Sequence, residues 1–208
     1  MKTLEVRRHS CTKKGEARGK GSHLSADGVA LAREVGRNLP EFDYVMASTV
    51  PRTLETAIAM GYAVDDLVKV PQKLAGQAMV VVGHLERWSW EFPWLRFREL
   101  AANHDVAGRY GEWLRDSWIA ALDRVPEDGR ALVVSHGRDI ELGVLACLPH
   151  VPDDEVRGWG EPVHQCEGVT MTFDGDRFSL VGINRTRRCE SAKRFAHGEA
   201  VGGLRRAD

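Results

Sequence analysis

Apolar positions along the chain follow two periods, one of about two residues and one of about 3.6, and they mark out strands and helices in alternation. An apolar-leaning run from Leu4 reads as a short strand that stops at Arg8 and His9. Residues 29–39 repeat at helical spacing after Ser25, a plausible N-cap, and Pro40 stops them. Residues 42–47 form a second strand. A short turn and a helix to about Met60 follow, with Pro51 at the first helical position, where its missing N–H costs little. That places Arg52 in the first helical turn. Residues 67–70 read as a short strand or edge segment.

The second half repeats the alternation. Residues 106–125 predict a long helix with Tyr110, Trp113, Leu114, Trp118, Ile119 and Leu122 on one side, closed by the turn Glu127-Asp128-Gly129. A buried strand over 131–134 runs into Ser135-His136-Gly137, and a helix over 140–148 follows. Pro152, Asp153 and Asp154 open a polar connection. Two β-rich runs around Asp174-Gly175, within 168–183, read as a hairpin. Strands alternating with helices predict an α/β fold, a three-layer α/β/α sandwich with a mostly parallel central sheet. Between Gln72 and about His104 the pattern blurs. Residues 78–82 are apolar, and Trp88, Trp90, Phe92, Trp94 and Phe97 crowd one stretch. Aromatic side chains bury large areas, so a hydrophobic cap on the sheet is one reading and a lid shaping a pocket is the other.

Composition changes the picture only by exclusion. The chain has 208 residues, 43% hydrophobic and 28% charged, with a formal net charge of -1. One full domain fits that length, and nothing global attracts nucleic acid or membrane. No apolar run approaches the length of a membrane span, and Met1-Lys2-Thr3 leads straight into a strand without a signal peptide. Cys11, Cys147, Cys166 and Cys189 show no C-x-x-C spacing, which suits a reducing cytoplasm better than a zinc knuckle. His84, His104, His150 and His164 show no helical H-x-x-x-H spacing, so no metal is expected. Gly15, Gly19 and Lys20 suggest a phosphate loop, but three residues separate the glycines and Gly21 follows the lysine, so a basic loop is the better reading. From Arg185 to Asp208 the chain turns basic, through Arg187, Arg188, Lys193, Arg194, Arg205 and Arg206. Without interleaved aromatics this predicts a solvated tail. The domain is therefore drawn over 1–184, with an inserted cap or lid over 72–104 and a tail over 185–208.

The candidate chemistry lies at strand ends, where open α/β sheets bind ligands. Arg8 offers a planar fork of donors matched to phosphoryl oxygens, and His9 can act as nucleophile, base or acid near neutral pH. Arg52 and His136 stand at the ends of two further strands. Strand-Arg-His, then Ser-x-x-Pro-Arg-x-x-x-Thr-Ala over residues 48–57, then Ser-His-Gly, taken in order from Leu4 to about Asn184, resembles the histidine phosphatase superfamily, which includes the cofactor-dependent phosphoglycerate mutases. Ser10 departs from the glycine most frequent there in the family, and a mild effect on the loop is expected.

The resemblance implies that His9 becomes phosphohistidine and that Arg8, Arg52 and His136 clamp the transferring phosphoryl group, with His136 protonated. It implies a proton donor among Glu86, Glu91 and Asp139. Glu86 is favoured, because a Glu-Arg pair followed by an aromatic is similar to the mutase pattern. The function expected is hydrolysis of a small phosphomonoester in the cytoplasm, without metal or other cofactor. Mutase-like phosphoryl transfer and a non-catalytic module that binds a phosphorylated ligand or partner are the alternatives.

Overall fold

The structure is a computed structural model, and it describes residues 1–13, 22–83 and 91–187. Six strands form one sheet: β1 (Lys2–Arg8), β2 (Tyr44–Ser48), β3 (Asp66–Val68), β4 (Arg130–Ser135), β5 (Gly168–Phe173) and β6 (Phe178–Asn184), in the order β3-β2-β4-β1-β5-β6. The pairings β2 with β3, β2 with β4 and β1 with β4 are parallel, and β5 and β6 add an antiparallel hairpin beside β1. Alternation along the strands divides their side chains between two faces. Leu4, Val6, Ala131 and Val133 join the larger core, while Val45, Leu132 and Val134 pack with Ala57 on the other side.

Two helices, α1 (Ala26–Gly36) and α2 (Pro51–Met60), cover the second face. Ser25 caps α1 as expected, its Oγ accepting from the backbone N–H of Gly28 at 3.0 Å. The larger core lies under α5 (Asp105–Leu122) and α6 (Asp139–Cys147), with α3 (Gln72–Gly83) and α4 (Pro93–Asn103) stacked on them. The result is the expected α/β/α sandwich with a mostly parallel sheet. Among the described residues no helix is long and apolar enough to cross a membrane.

The blurred stretch contains two helices. Trp94 and Phe97, on α4, are buried in the main core, and the Trp94 indole N–H donates to the carbonyl of Glu161 at 3.1 Å. Trp88 and Trp90 lie outside the described residues, as do most of the basic loop after Lys13 and the tail beyond Arg187. The polar connection after Pro152 contains a short helix, α7 (Asp153–Arg157).

Arg185 is a correction to the solvated tail. Its guanidinium donates to Glu167 Oε2 at 2.8 Å and to the carbonyls of Trp159 at 2.8 Å and Glu161 at 2.6 Å. Those bonds dock the residue where solvation was expected.

Helices α5 and α6 pack tightly at Gly143, where a Cβ would stand 2.3 Å from the Trp118 ring. Gly143→Ala is therefore expected to destabilise the fold by about 1–3 kcal/mol, because the buried indole has nowhere to move. Gly76, inside α3, has open space at the same position. Gly76→Ala should raise stability by about 0.5–1 kcal/mol through the lower entropy of the unfolded chain. Urea midpoints of the two variants against the parent protein test both signs.

Candidate active site

Strand register brings the two histidines together. Arg8 is level with Ser135 in the parallel pair of β1 and β4, and the backbone N–H of His9 donates to the carbonyl of Ser135 at 2.9 Å. His9 and His136, each one residue past its strand, then meet edge to face with ring centroids 5.3 Å apart. On the far side of β4, strand β2 ends at Ser48, and Pro51 starts α2 three residues later, with Arg52 in its first turn. Arg8, His9, Arg52 and His136 all line one cavity of about 560 Å³ at the carboxyl edge of the sheet. That volume suits a small ligand.

Hydrogen bonds fix both tautomers. His9 Nδ1 lies 2.7 Å from the carbonyl oxygen of Ser10, which can only accept, so Nδ1 carries the proton and Nε2 the lone pair. For His136, Nδ1 accepts from Arg52 Nε at 3.3 Å, which leaves the proton on Nε2, 3.0 Å from Ser48 Oγ. Ser48 is in turn 2.8 Å from Thr53 Oγ1.

Burial drives the His136 pKa down to about 3, and the Arg52 and Arg8 guanidinium groups add to the effect. His136 is therefore neutral at physiological pH, contrary to the protonated form expected from sequence. His9 is also held well below the usual imidazole range, by burial first and then by His136, Arg8 and Arg52, against the opposing Ser10 carbonyl. Both arginines are themselves lowered by burial.

The supports reach into both faces of the sheet. Arg8 donates from one terminal nitrogen to the carbonyl of Val163 at 2.8 Å, and among the described residues its buried Nε has no acceptor. Glu141, buried on α6, accepts from the Val163 N–H at 2.7 Å and from the Arg138 N–H, so it holds the segment that holds Arg8. Gly137 is needed for close approach, since a Cβ there would sit 2.9 Å from the Arg8 guanidinium carbon. Ser10 is fully buried. Its backbone N–H donates to Thr56 Oγ1 at 2.9 Å, tying the end of β1 to α2, and its Oγ donates to the Gly28 carbonyl at 2.7 Å, so the hydroxyl adds a tie to α1.

The cavity wall also includes Gln72, Ala75, Gly76 and Met79 on α3, together with Tyr110, Arg138 and Asp139. The sequence reading assigned Tyr110 to the core and gave Ser48 no role. Ser48 was visible only as the first residue of the Ser-x-x-Pro-Arg pattern. Of the three donor candidates, Glu86 lies outside the described residues. Glu91 is exposed at the turn before α4 and is not among the residues lining this cavity, whereas Asp139 lines it. No three His, Cys, Asp or Glu side chains among the described residues are grouped as a metal site.

Comparison with solved structures returns the same architecture at low identity. Phosphoserine phosphatase from Entamoeba histolytica superposes with a TM-score of 0.60 at 16% identity, covering 90% of this chain and 98% of that one. Phosphoglycerate mutase from Bacillus anthracis gives 0.57 at 16% identity, covering 86% and 91%. Alpha-ribazole phosphatase from Shigella flexneri gives 0.55 at 16% identity, covering 88% and 96%. No curated protein matches the chain. The sequence profile of the histidine phosphatase superfamily (branch 1) matches residues 6–186, nearly the whole of the chain in which the two histidines and two arginines converge, and the protein belongs to that superfamily.

Proposed function

We propose that this protein is a phosphatase that hydrolyses a small phosphomonoester through a phosphohistidine on His9. The observation that carries the reading is the His9 tautomer: the bond from Nδ1 to Ser10 leaves Nε2 as the nucleophilic nitrogen in a cavity that Arg8 and Arg52 also line. Its depressed pKa keeps that lone pair available at neutral pH. Arg8 and Arg52 offset charge on the equatorial oxygens while Nε2 attacks phosphorus in line. His136, neutral, offers its Nε2–H, which it shares with Ser48, to a phosphoryl oxygen. Water then attacks phosphorus, and the phosphohistidine returns to His9 and inorganic phosphate. The two guanidinium groups supply the positive charge, so the reaction runs without a metal.

Hydrolysis is preferred to mutase chemistry because the sequence after Gln72 does not reproduce the mutase pattern closely. Relatives of the same fold are described with phosphoserine and with 3-phosphoglyceric acid, which supports a small phosphorylated metabolite as the substrate class.

Incubation with p-nitrophenyl phosphate should release nitrophenol and leave an acid-labile, base-stable phosphoenzyme on rapid quenching. His9→Ala should abolish the phosphoenzyme and lower turnover on the order of 10⁴-fold or more. Binding of phosphate without any turnover would identify a non-catalytic module instead, and transfer of the phosphoryl group back to an alcohol in preference to water would identify a mutase. Activity should also survive excess EDTA. Loss of activity that returns on adding zinc or magnesium would rule out the metal-free scheme.

A further inference from the structure

Among the described residues that line the cavity, one carries a carboxyl group, and the phosphoryl clamp does not use it. Asp139 is 7% exposed at the start of α6, yet it lines the cavity with His9, Arg52 and His136. It is hydrogen-bonded to the Tyr110 hydroxyl, and Tyr110, from α5, lines the same cavity. A carboxyl group in that position borders the same cavity as the proposed nucleophile.

We propose that Asp139 is the general acid that protonates the leaving oxygen of the substrate, and that Tyr110 positions it. The assignment rests on the phosphatase reading above. In the first step the bond from His9 Nε2 to phosphorus forms as the phosphorus–oxygen ester bond breaks, and the carboxyl proton passes to the ester oxygen, leaving neutral alcohol and an Asp139 carboxylate. In the second step water adds to phosphorus as the phosphorus–nitrogen bond breaks, with that electron pair returning to Nε2. The carboxylate takes the proton from water and is restored as the acid.

The environment suits the role. Burial raises the Asp139 pKa to about 7, with Glu141 on the same helix pushing in the same direction. The Tyr110 hydrogen bond, Arg52 from α2 and Arg138 pull the other way. His9, His136 and Arg8 share the cavity. A carboxyl group that titrates near the working pH holds a proton before transfer and can accept one after it.

The test is a single-turnover comparison of two esters in Asp139→Asn, which keeps the shape and an acceptor for Tyr110. An alkyl phosphate leaves as a poor alkoxide and should lose about 100-fold or more in its first step. Release of p-nitrophenolate, which needs no proton, should fall by less than about 10-fold, since only positioning is disturbed. Equal losses on both esters, or an alkyl-selective defect in Glu86→Gln instead, would overturn the assignment.

Tyr110→Phe provides an independent reading. It removes a bond that lowers the Asp139 pKa, so the alkaline limb of kcat/KM for the alkyl ester, set by loss of the acid's proton near pH 7, should move to higher pH. The substrate's own ionisation is the same in both proteins and cancels. An unmoved limb contradicts the proposal. Failure of the unmodified protein to form an acid-labile phosphoenzyme would overturn the hydrolytic reading and this role with it. A phosphoenzyme that forms, but with equal slowing on both esters in Asp139→Asn, would overturn the role alone.

Discussion

Two guanidinium groups drawn partly out of water beside two imidazoles are the constraint on which the site depends. Removing a cation from water is unfavourable unless its donors find acceptors, and like charges close together raise the cost. The structure meets this by keeping both histidines neutral and by giving Arg8 the Val163 carbonyl and Arg52 the His136 lone pair. Glu141, buried across from Arg8, contributes the opposing charge and anchors the Val163 segment. The cavity is thus electropositive from its arginines alone, while its imidazoles remain available for bond formation and hydrogen bonding.

Much of this was legible in the sequence because the chemistry sits where a buried strand ends. The apolar runs before His9 and His136 located both histidines at one edge, and Pro51 placed Arg52 in a helical first turn. Charge state was not legible. Whether His136 holds a proton depends on its depth and on the distance to Arg52, and both are set by strand pairing rather than by neighbours in sequence.

The elements that escaped the reading have physical reasons too. Helix α3 presents Ala75, Gly76 and Met79 to the cavity while Val80 is 59% exposed, so its apolar residues do not form one stripe. Helix α7 has five residues, too few to show a helical period. Arg185 read as the start of a charged tail because its partners, residues 159–167, are about twenty positions away. The effect of Ser10 was also hidden. A hydroxyl in place of glycine looks like a small change, but here it supplies a buried bond from the end of the first strand to the Gly28 carbonyl of α1.

The central position of β1 has a consequence for the order in which the molecule can assemble. The first strand made is flanked by β4 on one side and β5 on the other, so neither neighbour exists until residues 130–135 and then 168–173 have been synthesised. The support under Arg8 arrives late as well: Val163 supplies its acceptor, Glu167 receives the Arg8 backbone N–H, and Arg185 ties Glu167 down. Within the domain the proposed nucleophile is therefore made first, but the pocket cannot close around it until nearly all of the domain has left the ribosome.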